Sequence, residues 1–378
     1  MITLDKNRVK ENIEKRLFAD IESGRVGGAQ VCVKQAGEII YENCFGYSAE
    51  GRELTPDTIF RLASMTKPIT GVAIIKQIGK GLVSLDDTLD KFIPEYAEMN
   101  IGTLDESKNV IITGKAIEKI RVLHLLTHSS GVGCGMLGDK LAGITPMEKK
   151  RDLKSVTDAY ACHPLSFEPF SAQAYSPMLG FDLLSRIVEI TSDMPYDEYL
   201  KKEIFEPLGM ADTIFMPTDT QWARMISMHN FKDGRAIFHP VDRKCIFGDL
   251  PLTYFCGGAG LASTVKDYMK FTDMLLAGGR LPDGRQMIDE SLIKLMRTPA
   301  IPEQIMPGNQ RWGLSMRVIT GDSYKRLPKN AYGWSGAYGT HFWVDPDNQI
   351  TAVYMKNSQF DGGSGALTAA RFEEDVYW

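Results

Sequence analysis

Apolar and polar residues alternate near both ends of this chain, and apolar residues recur at helical spacing between them. Residues 29–35 (AQVCVKQ) and 39–47 (IIYENCFGY) read as two strands, with Ala36-Gly37-Glu38 as the turn of a hairpin. Residues 66–80 predict a helix: Ile69, Val72, Ala73, Ile74, Ile75 and Ile78 give a broad apolar surface, and Gly79 and Gly81 end it. Pro68 falls near the first turn, where a missing N–H costs little. The first 25 residues mix both charges and predict an amphipathic helix. Residues 85–215 are dominated by helical patterns and loops, clearest at 119–128 and 179–191, and Pro207-Leu208-Gly209 closes that region. From about residue 310 strands return, at 311–319, 338–344 and 349–356, the last two joined by the turn Asp345-Pro346-Asp347-Asn348. Residues 364–376 predict a closing helix.

Strands at both ends with helices between them predict an α+β fold. An antiparallel sheet forms from the N- and C-terminal segments and is flanked by helices, with a mainly helical lobe inserted. The expected division is 1–84 plus 216–378 for the sheet lobe and 85–215 for the helical lobe, with an active site between them.

Composition narrows the function classes. The chain has 378 residues, 43% hydrophobic and 24% charged, and its net charge of −5 comes without a long Lys/Arg run, so a nucleic-acid surface is not expected. No stretch approaches the length of a membrane span, and the first 25 residues lack the apolar core of a secretory signal, which predicts a cytoplasmic protein. The six cysteines (Cys32, Cys44, Cys134, Cys162, Cys245, Cys256) form no Cys-x-x-Cys pair, so a zinc ribbon or redox motif is not expected, and free thiols fit a reducing compartment.

Ser-Met-Thr-Lys at 64–67 opens the predicted helix, and its serine and lysine share one face. A lysine so placed can take the serine proton and make the alcohol a nucleophile. The same spacing recurs at Ser263/Lys266 and Ser291/Lys294. Ser263 and Thr264 read as N-cap residues of the next helix, and Lys294 as a solvated surface charge. Ser64 alone could also be a cap.

Context separates the three. IFRLASMTKPIT, together with residues 81–96, 120–132, 203–215 and 257–271, resembles the serine β-lactamase and D-alanyl-D-alanine carboxypeptidase superfamily, in its class C-like branch with related esterases. The resemblance runs through most of residues 25–356. It implies Ser64 as nucleophile, with Lys67 and Tyr175 handling protons. Tyr175 opens Tyr-Ser-Pro, so Pro177 replaces the family's asparagine, which helps hold a substrate amide. The third motif matches Trp334-Ser335-Gly336, where tryptophan resembles the esterase members and removes a cation that would pair with a substrate carboxylate. By resemblance the backbone N–H groups of Ser64 and Ala337 form the oxyanion hole. No metal or organic cofactor is implied.

Other signals fail. His124 and His128 have i, i+4 spacing but lack the glutamate of a zinc-protease helix, and the resemblance makes them framework residues. Residues 133–138 fit a dinucleotide fingerprint by letters, but no strand is expected before them and no clear helix after. The reading that follows is a serine hydrolase acting on a small ester or amide, foremost a carboxylic ester. β-Lactam or D-Ala-D-Ala hydrolysis, acyl transfer and a non-catalytic binding protein are the alternatives. Oligomeric state stays open.

Overall fold

The computed structural model describes residues 1–147, 151–241, 243, 252–322, 324–363 and 365–378; Cys245 lies outside them. Both ends of the chain contribute to one antiparallel sheet. Its strands are β1 (Gly28–Gln35), β2 (Glu38–Ala49), β3 (Arg52–Glu53), β4 (Gln310–Trp312), β5 (Arg317–Ile319), β6 (Tyr332–Ser335), β7 (His341–Asp345) and β8 (Ile350–Met355). Their spatial order is β4-β5-β6-β7-β8-β1-β2-β3. The hairpin of β1 and β2 thus reaches the C-terminal strands through β8, with Cys32 opposite Val353.

Period-two alternation sorts the apolar residues between two layers. Val31, Val33, Trp343 and Tyr354 face the N-terminal helix (Lys6–Glu22) and the closing helix (Leu367–Tyr377), packing with Val9, Ile13, Phe372 and Val376. Cys32, Phe342, Val344 and Val353 face the other way. There they join the larger core with the helix Thr66–Gly79 and the helix Val265–Leu276. A sheet buried on both faces needs no polar alternation, which is why β7 and β8 are buried at every position.

Several predicted elements change. Residues 311–319 are not one strand. β4 and β5 are antiparallel partners, Trp312 opposite Arg317, and the chain turns between them with Ser315 in the left-handed region at φ 67°. The strand expected at 338–344 starts only at His341, because residues 336–340 form a tight turn closed by Gly336 N–H donating to the Thr340 carbonyl (2.7 Å). β6 was not among the predicted strands; it is short, contains Gly333, and owes its form to pairing with β7. The helix expected at 119–128 spans only Val122–Leu126. The helical region also holds a hairpin, Asn100–Leu104 with Val110–Lys115, whose second strand is mostly exposed and so lacks apolar alternation. A helix, Gly135–Ile144, does begin within the 133–138 glycine run, though no strand leads into it. Among the described residues no helix is long and apolar enough to cross a membrane.

Candidate active site

Ser64 sits in a 3₁₀ turn, Ala63–Met65, that runs straight into the helix Thr66–Gly79. Ala63 before it has φ 47°, a left-handed conformation that costs on the order of 1–3 kcal/mol in a non-glycine residue. Contacts from several directions hold it there. Leu62 N–H donates to the Leu261 carbonyl (2.9 Å), Thr340 Oγ1 donates to the Leu62 carbonyl (2.8 Å), and the Tyr268 hydroxyl donates to the Met65 carbonyl (2.9 Å). The serine side chain therefore stands at the start of a helix with its backbone over-determined.

Lys67 is wholly buried. Its Nζ lies 2.6 Å from the Pro177 carbonyl, 2.7 Å from the Gly258 carbonyl and 3.2 Å from Ser64 Oγ. The two carbonyls can only accept, so they take two N–H bonds whether the lysine is an ammonium or an amine. The third direction always points at Ser64. As an ammonium it donates to the hydroxyl; as an amine its lone pair faces the hydroxyl proton. Pro177 thus serves through its carbonyl, a group that every residue type has.

Tyr175 is half-buried beside them, its ring centroid 5.0 Å from Lys67 Nζ. Its hydroxyl accepts from Trp334 Nε1 at 3.3 Å. An indole N–H is a donor only, so the Tyr175 oxygen accepts in this bond and its own proton stays available to another partner. The Tyr175 ring packs on His128, Trp334 and Trp312, with centroids 4.4, 5.4 and 6.2 Å away. His128 is buried, and its Nδ1 accepts from the Ser176 N–H (3.1 Å). Burial, with Lys67 nearby, holds its pKa well below the ordinary imidazole value, so it faces the site uncharged. His124 likewise accepts, from the Arg121 N–H (3.1 Å), and burial with Arg121 lowers it to about 4.

The third motif enters on β6. Trp334 and Ser335 point to opposite faces, Trp334 to the site and Ser335 to His341, whose Nδ1 is 2.8 Å from Ser335 Oγ. Gly336 must be glycine: a Cβ there would stand 2.1 Å from the Leu62 carbonyl oxygen. That close approach brings Ala337 beside Ser64 on one cavity of about 420 Å³, walled by Tyr175, Trp312, Trp334 and Met306. A larger cleft, about 1170 Å³, lies between the N-terminal and closing helices and contains none of these residues.

Sequence reasoning missed Trp312 and Arg317 in the cavity wall. Arg317 is a cation in a site expected to lack one at its third motif, but it is paired with the buried Glu373 at 3.1 Å. Arg317 and Trp312 come together with Trp334 only through the β4-β5-β6 pairing, which no local pattern announces. The other two Ser-x-x-Lys pairs are structural. Thr264 caps its helix by accepting from the Asp267 N–H, and Ser263 bonds Thr213. Ser291 bonds Asp289, the cap of its helix, and Lys294 is exposed. Among the described residues no three His, Cys, Asp or Glu side chains gather as a metal site would require.

Comparison with known proteins places the chain in a family. A family model described as Beta-lactamase matches residues 10–374. Esterase EstB of Burkholderia gladioli is 28% identical over 97% of this chain and 95% of its own length. A lovastatin esterase of Penicillium rubens is 30% identical over 68% of this chain and 66% of its own. Among solved structures, EstCE1, described as a hydrolase with promiscuous acyltransferase activity, superposes with a TM-score of 0.82 at 22% identity, covering 99% of each chain.

Proposed function

The chain belongs to the beta-lactamase family and is a serine hydrolase, and from that premise we propose that it cleaves carboxylic esters through an acyl-enzyme on Ser64. The observation that carries this reading is the Lys67 environment, in which two carbonyls fix the amine and leave one direction aimed at Ser64 Oγ. Ser64 Oγ bonds to the acyl carbon while its proton passes to the Lys67/Tyr175 pair. The resulting oxyanion is met by the N–H groups of Ser64 and Ala337. The C–O bond to the alcohol breaks, and the pair returns the proton to the leaving oxygen. Water then repeats the sequence on the acyl-enzyme, losing its proton to the same pair and releasing the acid and free Ser64.

The substrate class follows from the walls. Trp312, Trp334, Tyr175 and Met306 favour an uncharged, apolar group of modest size in about 420 Å³. On this reading the cleft lies between two lobes, Tyr175 coming from 85–215 and both tryptophans from the sheet lobe. The names of the esterase relatives support an ester as the bond cleaved. Acyl transfer to an alcohol is a second reading, favoured by the description of EstCE1 and served by the same acyl-enzyme. β-Lactam hydrolysis is disfavoured by Trp334 in the position of a cation and by Arg317 being committed to Glu373.

The test is turnover of p-nitrophenyl butyrate by wild type and Ser64→Ala. Loss of about three orders of magnitude or more is expected on removing the nucleophile. Wild-type turnover in a folded Ser64→Ala protein would sink the proposal.

A further inference from the structure

The two carbonyls that hold Lys67 come from separate segments. Pro177 precedes the helix Leu179–Ser192, and Gly258 belongs to a turn about 80 residues later in the chain. That turn meets the nucleophile helix twice, because Thr70 Oγ1 donates to the Gly257 carbonyl (2.7 Å) while Lys67 donates to that of Gly258. It also lies flat on the helix Leu179–Ser192. A Cβ at Gly257 would come 1.8 Å from Ser185 Oγ, and one at Gly258 would come 3.0 Å from the Pro177 carbonyl oxygen. Close packing alone permits sliding. A directional bond between the two segments is needed to hold both carbonyls on one nitrogen.

Asp182 and Tyr254 supply that bond. Asp182, in the first turn of the helix, is 1% exposed, and its Oδ2 accepts from the Tyr254 hydroxyl at 2.5 Å. Tyr254 is itself buried, four residues before Gly258. Burial pushes the Asp182 carboxyl up to about 6, against the lowering effect of Tyr254, the Cys256 thiol, Lys67 and the Gly257 N–H. A polar pair this deep is costly to place without a purpose or full compensation.

We propose that Asp182 is a positioning residue for the reaction, acting through Tyr254 to clamp the 254–258 segment on the helix Leu179–Ser192 and so keep the Pro177 and Gly258 carbonyls on Lys67. The inference rests on the Ser64/Lys67 reading above. Breaking the clamp lets the amine turn away from Ser64 without altering the substrate cavity, so the effect falls on kcat and not on KM.

The experiment compares Tyr254→Phe, Asp182→Asn and Asp182→Ala in full-length protein, with Ser64→Ala alongside and folding followed by circular dichroism. Tyr254→Phe should lower kcat about tenfold with KM within about twofold, the loss of one buried hydrogen bond. Asp182→Ala should lose more, and Asp182→Asn, which keeps an acceptor for the Tyr254 hydroxyl, should recover most of that loss. Should Asp182→Ala fail to fold, Tyr254→Phe decides alone. A folded Tyr254→Phe protein with wild-type kcat, an effect confined to Tm or KM, or an Asn variant no better than Ala would overturn the clamp. Turnover that survives Ser64→Ala would instead overturn the nucleophile reading, and the clamp with it.

Discussion

Lys67 and Lys356 are both wholly buried, and they mark two regions that treat a buried amine differently. Lys67 meets two carbonyls and a hydroxyl. Lys356, just past the end of β8 and beneath Gly339, meets the Asp361 carboxylate at 3.4 Å. Burial lowers the Lys356 pKa despite Asp361 beside it; on Asp361 burial is the largest influence, but Lys356 together with hydrogen bonds from Thr368 and Leu367 outweighs it and holds that carboxyl below its usual value. Asp361 in turn accepts from the N–H groups of Leu367 and Thr368 at the start of the closing helix. A carboxylate partner makes the second lysine a staple between β8 and that helix. Partners that can only accept, and one hydroxyl that can also give up a proton, leave the first lysine able to change protonation state without breaking its cage.

That contrast is broken most directly at Lys67. Lys67→Met keeps the volume and removes the amine, and turnover of p-nitrophenyl butyrate should fall by about three orders of magnitude while the protein stays folded. Activity within tenfold of wild type would make Lys67 no different in kind from Lys356. The counterpart, Lys356→Met, leaves a mostly buried carboxylate without its cation. It should cost about 3 kcal/mol of stability in chemical denaturation, partly restored by Asp361→Asn, with kcat/KM changed far less than in Lys67→Met. A Lys356→Met protein that kept its stability and lost its activity would invert the assignment.

Acid adds a third way to sharpen the comparison, through the imidazoles of the helical region. His124 titrates near 4 in the fold because of burial and the Arg121 charge, against about 6.5 in an unfolded chain. Between those values the unfolded chain binds a proton that the fold refuses. The stability His124 contributes is therefore full above pH 6.5 and is lost as pH falls toward 4. His124→Gln should remove this share, about 3 kcal/mol, and flatten the dependence of Tm on pH across that window. An unchanged slope would place the acid sensitivity elsewhere.

What could be read from the chain divides along the same line. The helix Thr66–Gly79 is legible because its apolar spacing is local, and the Thr264 cap because capping chemistry is local too. The acceptors that make Lys67 useful are backbone carbonyls of Pro177 and Gly258, and a carbonyl leaves no mark in residue type. Pro177, conspicuous as a departure from the family pattern, turns out to matter for an atom it shares with every other residue. Arg317 and Trp312 reach the cavity by strand pairing across β4, β5 and β6, and the turn at Ser315 that makes this possible was hidden inside a run that reads as one strand. Family resemblance could point to Tyr175 and Trp334 separately, but not to the hydrogen bond between them.

That bond carries the smallest expected effect and the finest discrimination. The Trp334 indole N–H donates to the Tyr175 oxygen and so fixes where that hydroxyl stands beside Lys67. Trp334→Phe keeps an aromatic wall on the cavity and removes only the N–H. If the bond orients Tyr175, kcat should fall about threefold and KM for p-nitrophenyl butyrate should barely move. If Trp334 is a wall and nothing more, KM should change with the lost ring area while kcat stays where it was. Both outcomes are read from one measurement of kcat and KM. They decide whether the tryptophan that stands in place of a cation takes part in proton transfer or only shapes the room in which it happens.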